Sequence, residues 1–189
     1  TPGVPRETGE LLAEAAAYDL GDGLTLAVPV DIAEDLLVFR PGDEGWLSAP
    51  GMLIRAYERE SYEDSMADYG YEAGFLFGVV RYDQEMYEQD YLAADGGSGG
   101  LDFVGQKDGW YYGFVYPTDV QFYRSETGAV NEDPDWGQWE HIQAQMEPIR
   151  DDFAARNGLE PYMGLGGFPW EGEHLYIHCH SGDYPVSLT

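Results

Sequence analysis

The chain is short of positive charge. Eight arginines and Lys107 make up its 9 basic residues, against 36 acidic ones, for a formal net charge of −27. That balance excludes direct nucleic-acid binding, which relies on Lys and Arg to neutralise phosphates and release counterions. An anionic membrane surface would repel the chain for the same reason. Cysteine is equally scarce. Cys179 stands alone, so no internal disulfide forms and the chain is not a disulfide-stapled scaffold. No apolar run approaches the roughly 18 residues of a membrane helix, and no charged n-region leads into an apolar h-region.

What is present points to a folded protein. Hydrophobic residues make up 43% and aromatics 15% of the sequence, well above the content of charge-rich disordered chains. At 189 residues a single domain fits, burying roughly 70% of its unfolded surface. The opening Thr1-Pro2-Gly3-Val4-Pro5 leads to the expectation that residues 1–7 are a tether behind a removed signal or lipid anchor. Residues 8–189 form the domain, with a Gly/Pro-rich tail at 159–189. The expected location is therefore extracellular or anchored at the cell surface.

Local patterns fill in the elements. Leu11, Leu12, Ala15 and Tyr18 share one side of a helix over residues 8–19 that Gly21 and Gly23 end. Alternation gives strands at 24–30, 36–40 and 52–58, the first marked as an edge by Pro29. Ser61-Tyr62-Glu63-Asp64 has capping-box form and starts a short helix that Gly70 stops. The apolar run 73–82 reads as a strand covered on both faces. Asp83 caps the next helix, with Tyr82 and Tyr87 placed as a hydrophobic staple. Asp108-Gly109 specifies a two-residue hairpin turn. Counting outward pairs Lys107 with Trp110, Gly105 with Tyr112, Phe103 with Phe114 and Leu101 with Tyr116, and gives one core-facing aromatic side. Asp133-Pro134 opens the longest helix, whose stripe is Trp139, Ile142, Met146, Ile149 and Phe153. Pro148 kinks or splits it, and Asn157-Gly158 closes it. Clustered strands with one long late helix indicate an α+β fold, a mainly antiparallel sheet with helices packed on one face.

Chemistry concentrates in His174-Leu175-Tyr176-Ile177-His178-Cys179-His180. As a strand it sets His174, Tyr176, His178 and His180 on one face. Imidazoles at that spacing suit Zn, Cu or Ni, with Asp183 to complete the set, so His174, His178 and His180 are the candidate metal ligands. A solvated edge strand explains the same pattern. Cys179 points away from both neighbouring histidines and reads as a buried structural thiol. Residues 131–135 begin like a calcium loop but place Trp136 where glycine is required. No phosphate cradle and no Gly-x-Ser-x-Gly elbow is present. No coherent catalytic set emerges. Among the aromatics, Tyr111 faces away from the apolar side of its hairpin. With Thr118, Asp119 and Trp136 it makes the candidate binding set.

At Tyr57–Ser61, at Ala73-Gly74-Phe75-Leu76-Phe77 and from Tyr111 through Pro117-Thr118-Asp119-Val120-Gln121-Phe122-Tyr123, the chain resembles uncharacterised secreted or lipoprotein-type proteins of gut-dwelling anaerobic Gram-positive bacteria. Arg156-Asn157-Gly158-Leu159 is similar too. The resemblance implies export and brings no catalytic residues. The leading expectation is thus a non-enzymatic, exported, monomeric module binding a sugar, peptide or partner protein. The alternatives are a metal-binding protein using the C-terminal histidines, or an acidic inhibitor or immunity protein for a basic partner.

Overall fold

In the computed structural model the described residues are 11–92, 100–128 and 133–161, together with the backbones of 174–179 and 182–187. Six strands form one antiparallel sheet: β3 (Leu36–Phe39), β4 (Met52–Glu58), β5 (Phe75–Tyr82), β6 (Leu101–Lys107), β7 (Trp110–Val115) and β8 (Glu160–Pro161), in spatial order β3-β4-β5-β7-β6-β8. The short helix α1 (Val30–Ala33) precedes β3, and helix α2 (Arg59–Tyr69) connects β4 to β5. Two smaller antiparallel pairs stand beside this sheet in the chain: β1 (Ala15–Gly21) with β2 (Leu24–Pro29), and β9 (His174–Cys179) with β10 (Gly182–Ser187). The α+β architecture with its antiparallel sheet is the one the sequence pattern indicates.

One face of the sheet carries the main core. Ile54 and Ala56 of β4, Phe77 and Val79 of β5, and Tyr112 and Phe114 of β7 pack there, under Leu24, Leu26 and Val28 of β2. The helix layer over this face is α4 (Trp136–Ala144) and α5 (Met146–Arg156), which contributes Trp139, Ile142, Met146, Ile149 and Phe153, the stripe expected from the sequence. The break between them falls at Gln145. Pro148 has no N–H to offer the Ala144 carbonyl, so the chain splits into two helices and Pro148 sits harmlessly in the first turn of the second. On the opposite face, Tyr87 and Tyr91 of a π-helical segment (Tyr87–Leu92) close over Phe103. That segment follows α3 (Gln84–Met86), capped by Asp83, whose Oδ1 accepts from Met86 N at 2.8 Å.

Three expectations are corrected. Residues 15–21 are strand, not helix: they pair with β2 through a turn in which Asp22 and its flanking glycines adopt positive φ. Three consecutive alanines favour helix on their own, and pairing with β2 overrides that local preference. Asp152, buried in α5, accepts from Leu12 N at 2.8 Å and ties this hairpin's lead-in to the helix.

The 101–115 hairpin has the expected turn and the expected Gly105–Tyr112 pair, but Phe103 faces Gly113, not Phe114. A bulge at Val104 inserts one residue, and a one-residue slip sends Phe103 to the opposite face from Tyr112. Helix α2 starts two residues before the expected box. Its N-cap is Glu58, whose Oε2 accepts from Ser61 N at 2.8 Å, while Gly70 ends it in the left-handed region as expected. Residues 1–7, the Gly-rich 96–100 stretch before Gly100, and most of the 159–189 tail lie outside the described residues.

Candidate functional site

A buried ion pair organises the end of the sheet where α2 begins. Arg124 and Glu58 are both inside the protein, and the guanidinium meets the carboxylate in bidentate fashion, each oxygen 3.1 Å from one nitrogen. Further contacts complete the donor set. Nη1 also donates to Ser61 Oγ at 3.0 Å and to the Tyr123 carbonyl at 2.9 Å, and Nε reaches Asp135 at 3.3 Å. The cation also lies over the Phe122 ring at 4.5 Å. Burial alone would lower the basicity of Arg124, but its bonds to Glu58 and the charges of Glu58 and Glu60 outweigh this and hold it above its ordinary value. A pair this well satisfied gains geometric definition more than stability. Its effect is to clasp residues 121–124 to the β4–α2 junction. Gly74 lets a third segment join: its N–H donates to the Gln121 carbonyl at 2.7 Å, and its own carbonyl accepts from Glu58 N at 2.7 Å. At φ +78°, any Cβ here would come within 2.6 Å of the Glu58 carbonyl oxygen.

On this support the C-terminal half of α2 is inverted. Tyr62, Met66 and Tyr69 step by four and three along it, the spacing of a core-facing stripe, but only Tyr62 turns inward, against Phe39 and Tyr57. The α2 residues with no exposed surface are Ser61 and Ser65, while Met66 is 40% and Tyr69 60% exposed. The serines are buried because they are used. Ser61 Oγ accepts from Tyr123 N at 3.0 Å, and Ser65 Oγ accepts from Ala73 N at 2.9 Å.

The displaced aromatics assemble outside. Tyr69 stacks on Tyr71 at 5.3 Å and 21°, and Tyr123 meets Tyr69 edge-on at 5.6 Å. Tyr123 Oη donates to Asp68 at 2.8 Å. Hydrogen bonding to Tyr69, partial desolvation and the bond to Asp68 push this phenol well above its ordinary range. Val120, 66% exposed, lies three residues before Tyr123 on the clasped loop. Met66, Tyr69 and Tyr71 are three of the seven large apolar side chains exposed among the described residues, gathered at the C-terminal end of α2.

Charge around the patch is one-sided. Asp68 sits in the last turn of α2, and that turn holds no basic residue. Glu72 is neutralised by Arg55 at 3.3 Å and accepts from Tyr57 Oη at 2.8 Å. Asp64 accepts from Ser125 N at 2.7 Å without a cation partner among the described residues.

The residues singled out from sequence are dispersed. Tyr111 is partly buried: it stacks on Tyr87 at 4.0 Å and donates to Gln84 at 2.9 Å. Trp136 packs edge-on against Phe122 at 5.2 Å and joins the main core on the other face of the sheet. These two therefore form no common platform. Thr118 and Asp119 are exposed on the loop that carries Val120 and Tyr123. His174 and His178 fall in β9, with Asp183 opposite His178 in the register, and His180 lies outside the described residues. No group of three potential metal ligands occurs among the described residues. A separate groove of about 420 Å³ between Asp19, Leu20, Arg40, Pro41, Asp43 and Leu53 is shallow and carries both signs of charge.

The tyrosine face was missed because the helical spacing of Tyr62, Met66 and Tyr69 reads as core. The usable signal was Ser61 and Ser65, a polar pair at the same spacing on the competing face. No protein family, curated protein or solved structure matches the chain.

Proposed function

We propose that this protein is a non-enzymatic, exported binding module whose ligand-contacting face is the patch of Tyr69, Tyr71, Tyr123 and Met66. The observation that carries the reading is the inversion of the C-terminal half of α2. A helix that buries two serines and leaves Met66 and Tyr69 in water forgoes apolar burial of about 1.5–3 kcal/mol per large side chain. Exposed aromatic clusters on rigid supports are what binding faces present, and the Arg124–Glu58 clasp supplies the rigidity. Export is the expectation that the resemblance of residues 57–61, 73–77 and 111–123 implies, and it stands as part of this proposal.

The test is binding to glycan and peptide arrays by the wild type and by Tyr69→Ala/Tyr71→Ala. Both side chains are 60% exposed, so the double variant should fold with stability within about 1 kcal/mol of wild type. The expected result is array binding that the variant loses. Undiminished binding by the folded variant would reject the face.

A further inference from the structure

We infer that the partner is a cationic peptide segment, with arginine side chains laid on the Tyr69–Tyr71 stack and paired with Asp68. This rests on the binding face proposed above and adds the chemistry of its occupant. Three independent features converge on positive charge. First, the C-terminal pole of α2 points its partial negative charge toward the patch. An eleven-residue helix normally sets Lys or Arg in that last turn, whereas here Asp68 occupies it and no basic residue does. The arrangement is unfavourable for the helix alone and favourable once a cation arrives. Second, the neighbouring carboxylates are not self-neutralised. Arg55 satisfies Glu72, and Arg59 reaches Glu63 at 3.7 Å, but Asp68 and Asp64 hold only neutral donors. Third, the exposed ring faces are tyrosines. A guanidinium stacks flat on such rings while its edge still donates two hydrogen bonds to a carboxylate.

The protein already uses this pairing internally. Arg81 lies over Trp110 at 4.4 Å while bonding Asp22 at 2.7 Å, and Arg55 lies over Phe75 at 5.1 Å while bonding Glu72. The patch presents the same aromatic-plus-carboxylate half without its arginine. A net charge of −27 would steer such a segment in over long range. Arginine is favoured over lysine because an ammonium is a compact, strongly hydrated point charge that cannot stack.

The experiment is calorimetric titration of the full chain with three decapeptides of Gly and Ser carrying four Arg, four Lys or four Glu. It is run with wild type, Asp68→Asn and Tyr69→Ala/Tyr71→Ala at 50 and 500 mM NaCl. The expected order is Arg tighter than Lys by about fivefold or more, with no binding of the Glu peptide. Affinity for the Arg peptide should fall at least tenfold in the tyrosine double variant, several-fold in Asp68→Asn, and further at 500 mM salt. Asp68→Asn should leave the melting temperature unchanged or higher, since it relieves the helix pole. Equal affinity for the double variant and wild type would show diffuse charge attraction and overturn the inference. If a neutral glycan binds the patch and the Arg peptide does not, the inference falls while the binding face stands. If no probe is sensitive to Tyr69 and Tyr71, both fall.

Discussion

Glu58 accepts from three directions at once: from the Ser61 N–H as a helix cap, and from two nitrogens of Arg124 as an ion pair. Removing Arg124 leaves a buried carboxylate with no cation. Arg124→Met should therefore cost about 3–5 kcal/mol in urea unfolding, and Arg124→Met/Glu58→Met much less than the sum of the two single changes. Additive losses would mean the pair does not act as a unit. Gly74→Ala should cost about 2 kcal/mol or more, because the methyl meets the Glu58 carbonyl and the backbone is held at positive φ. Tyr57 is one of the buried phenols that set the alkaline limit, Tyr116 being another. Burial, reinforced by the hydrogen bond to Glu72, raises the Tyr57 phenol far above the ordinary value of 10.0. The folded chain keeps this proton while the unfolded chain releases it, so the stability Tyr57 contributes is fully present below about pH 10 and falls above it by about 1.4 kcal/mol per pH unit. Denaturant titrations between pH 9 and 11 should show at least that slope, and Tyr57→Phe should reduce it by about 1.4 kcal/mol per pH unit. An unchanged slope in the variant would assign the alkaline loss elsewhere.

At the scale of elements, the α4–α5 joint isolates what Pro148 does. It lies in the first turn of α5, where its missing N–H has no intrahelical acceptor, and the Ala144 carbonyl already ends α4. Pro148→Ala should change unfolding free energy by less than about 1 kcal/mol, against about 3 kcal/mol for a proline in a helix interior. Phe153, fully buried against Phe114 at 5.6 Å, should cost about 3–5 kcal/mol as alanine. The split of this helix was legible in advance because proline chemistry is local. So were β4, β5 and the Asp108-Gly109 turn, where alternation and turn residues act over a few positions. What could not be read were choices made by distant partners. β2 turned Ala15–Gly21 into a strand, a bulge at Val104 reversed Phe103, and Glu58 displaced the expected cap. The tyrosine face belongs to this group. Whether Tyr69 or Ser65 turns inward depends on Ala73, Tyr123 and Arg124 claiming the serines, and those residues lie 8 to 63 positions away from their serine partners.

For the whole molecule, −27 means that folding concentrates like charge. Of the described cations, Arg55, Arg59, Arg81, Arg150 and Arg156 each pair with a carboxylate, Arg124 is internal, and many acids face solvent uncompensated. Screening should relieve that repulsion, so the melting temperature should climb between 20 and 500 mM NaCl. A flat or falling profile would mean that the charge is locally balanced. The same field disfavours self-association and favours basic partners, which joins the surface as a whole to the one face where aromatics stand out of it. The most direct measurement is an NMR titration of the chain labelled on its tyrosine rings with the four-arginine decapeptide. Saturable shifts confined to Tyr69, Tyr71 and Tyr123, with Tyr87 and Tyr112 unmoved, are the predicted result. Shifts centred on Tyr18 beside the Arg40 groove, or spread evenly over all the rings, would contradict it.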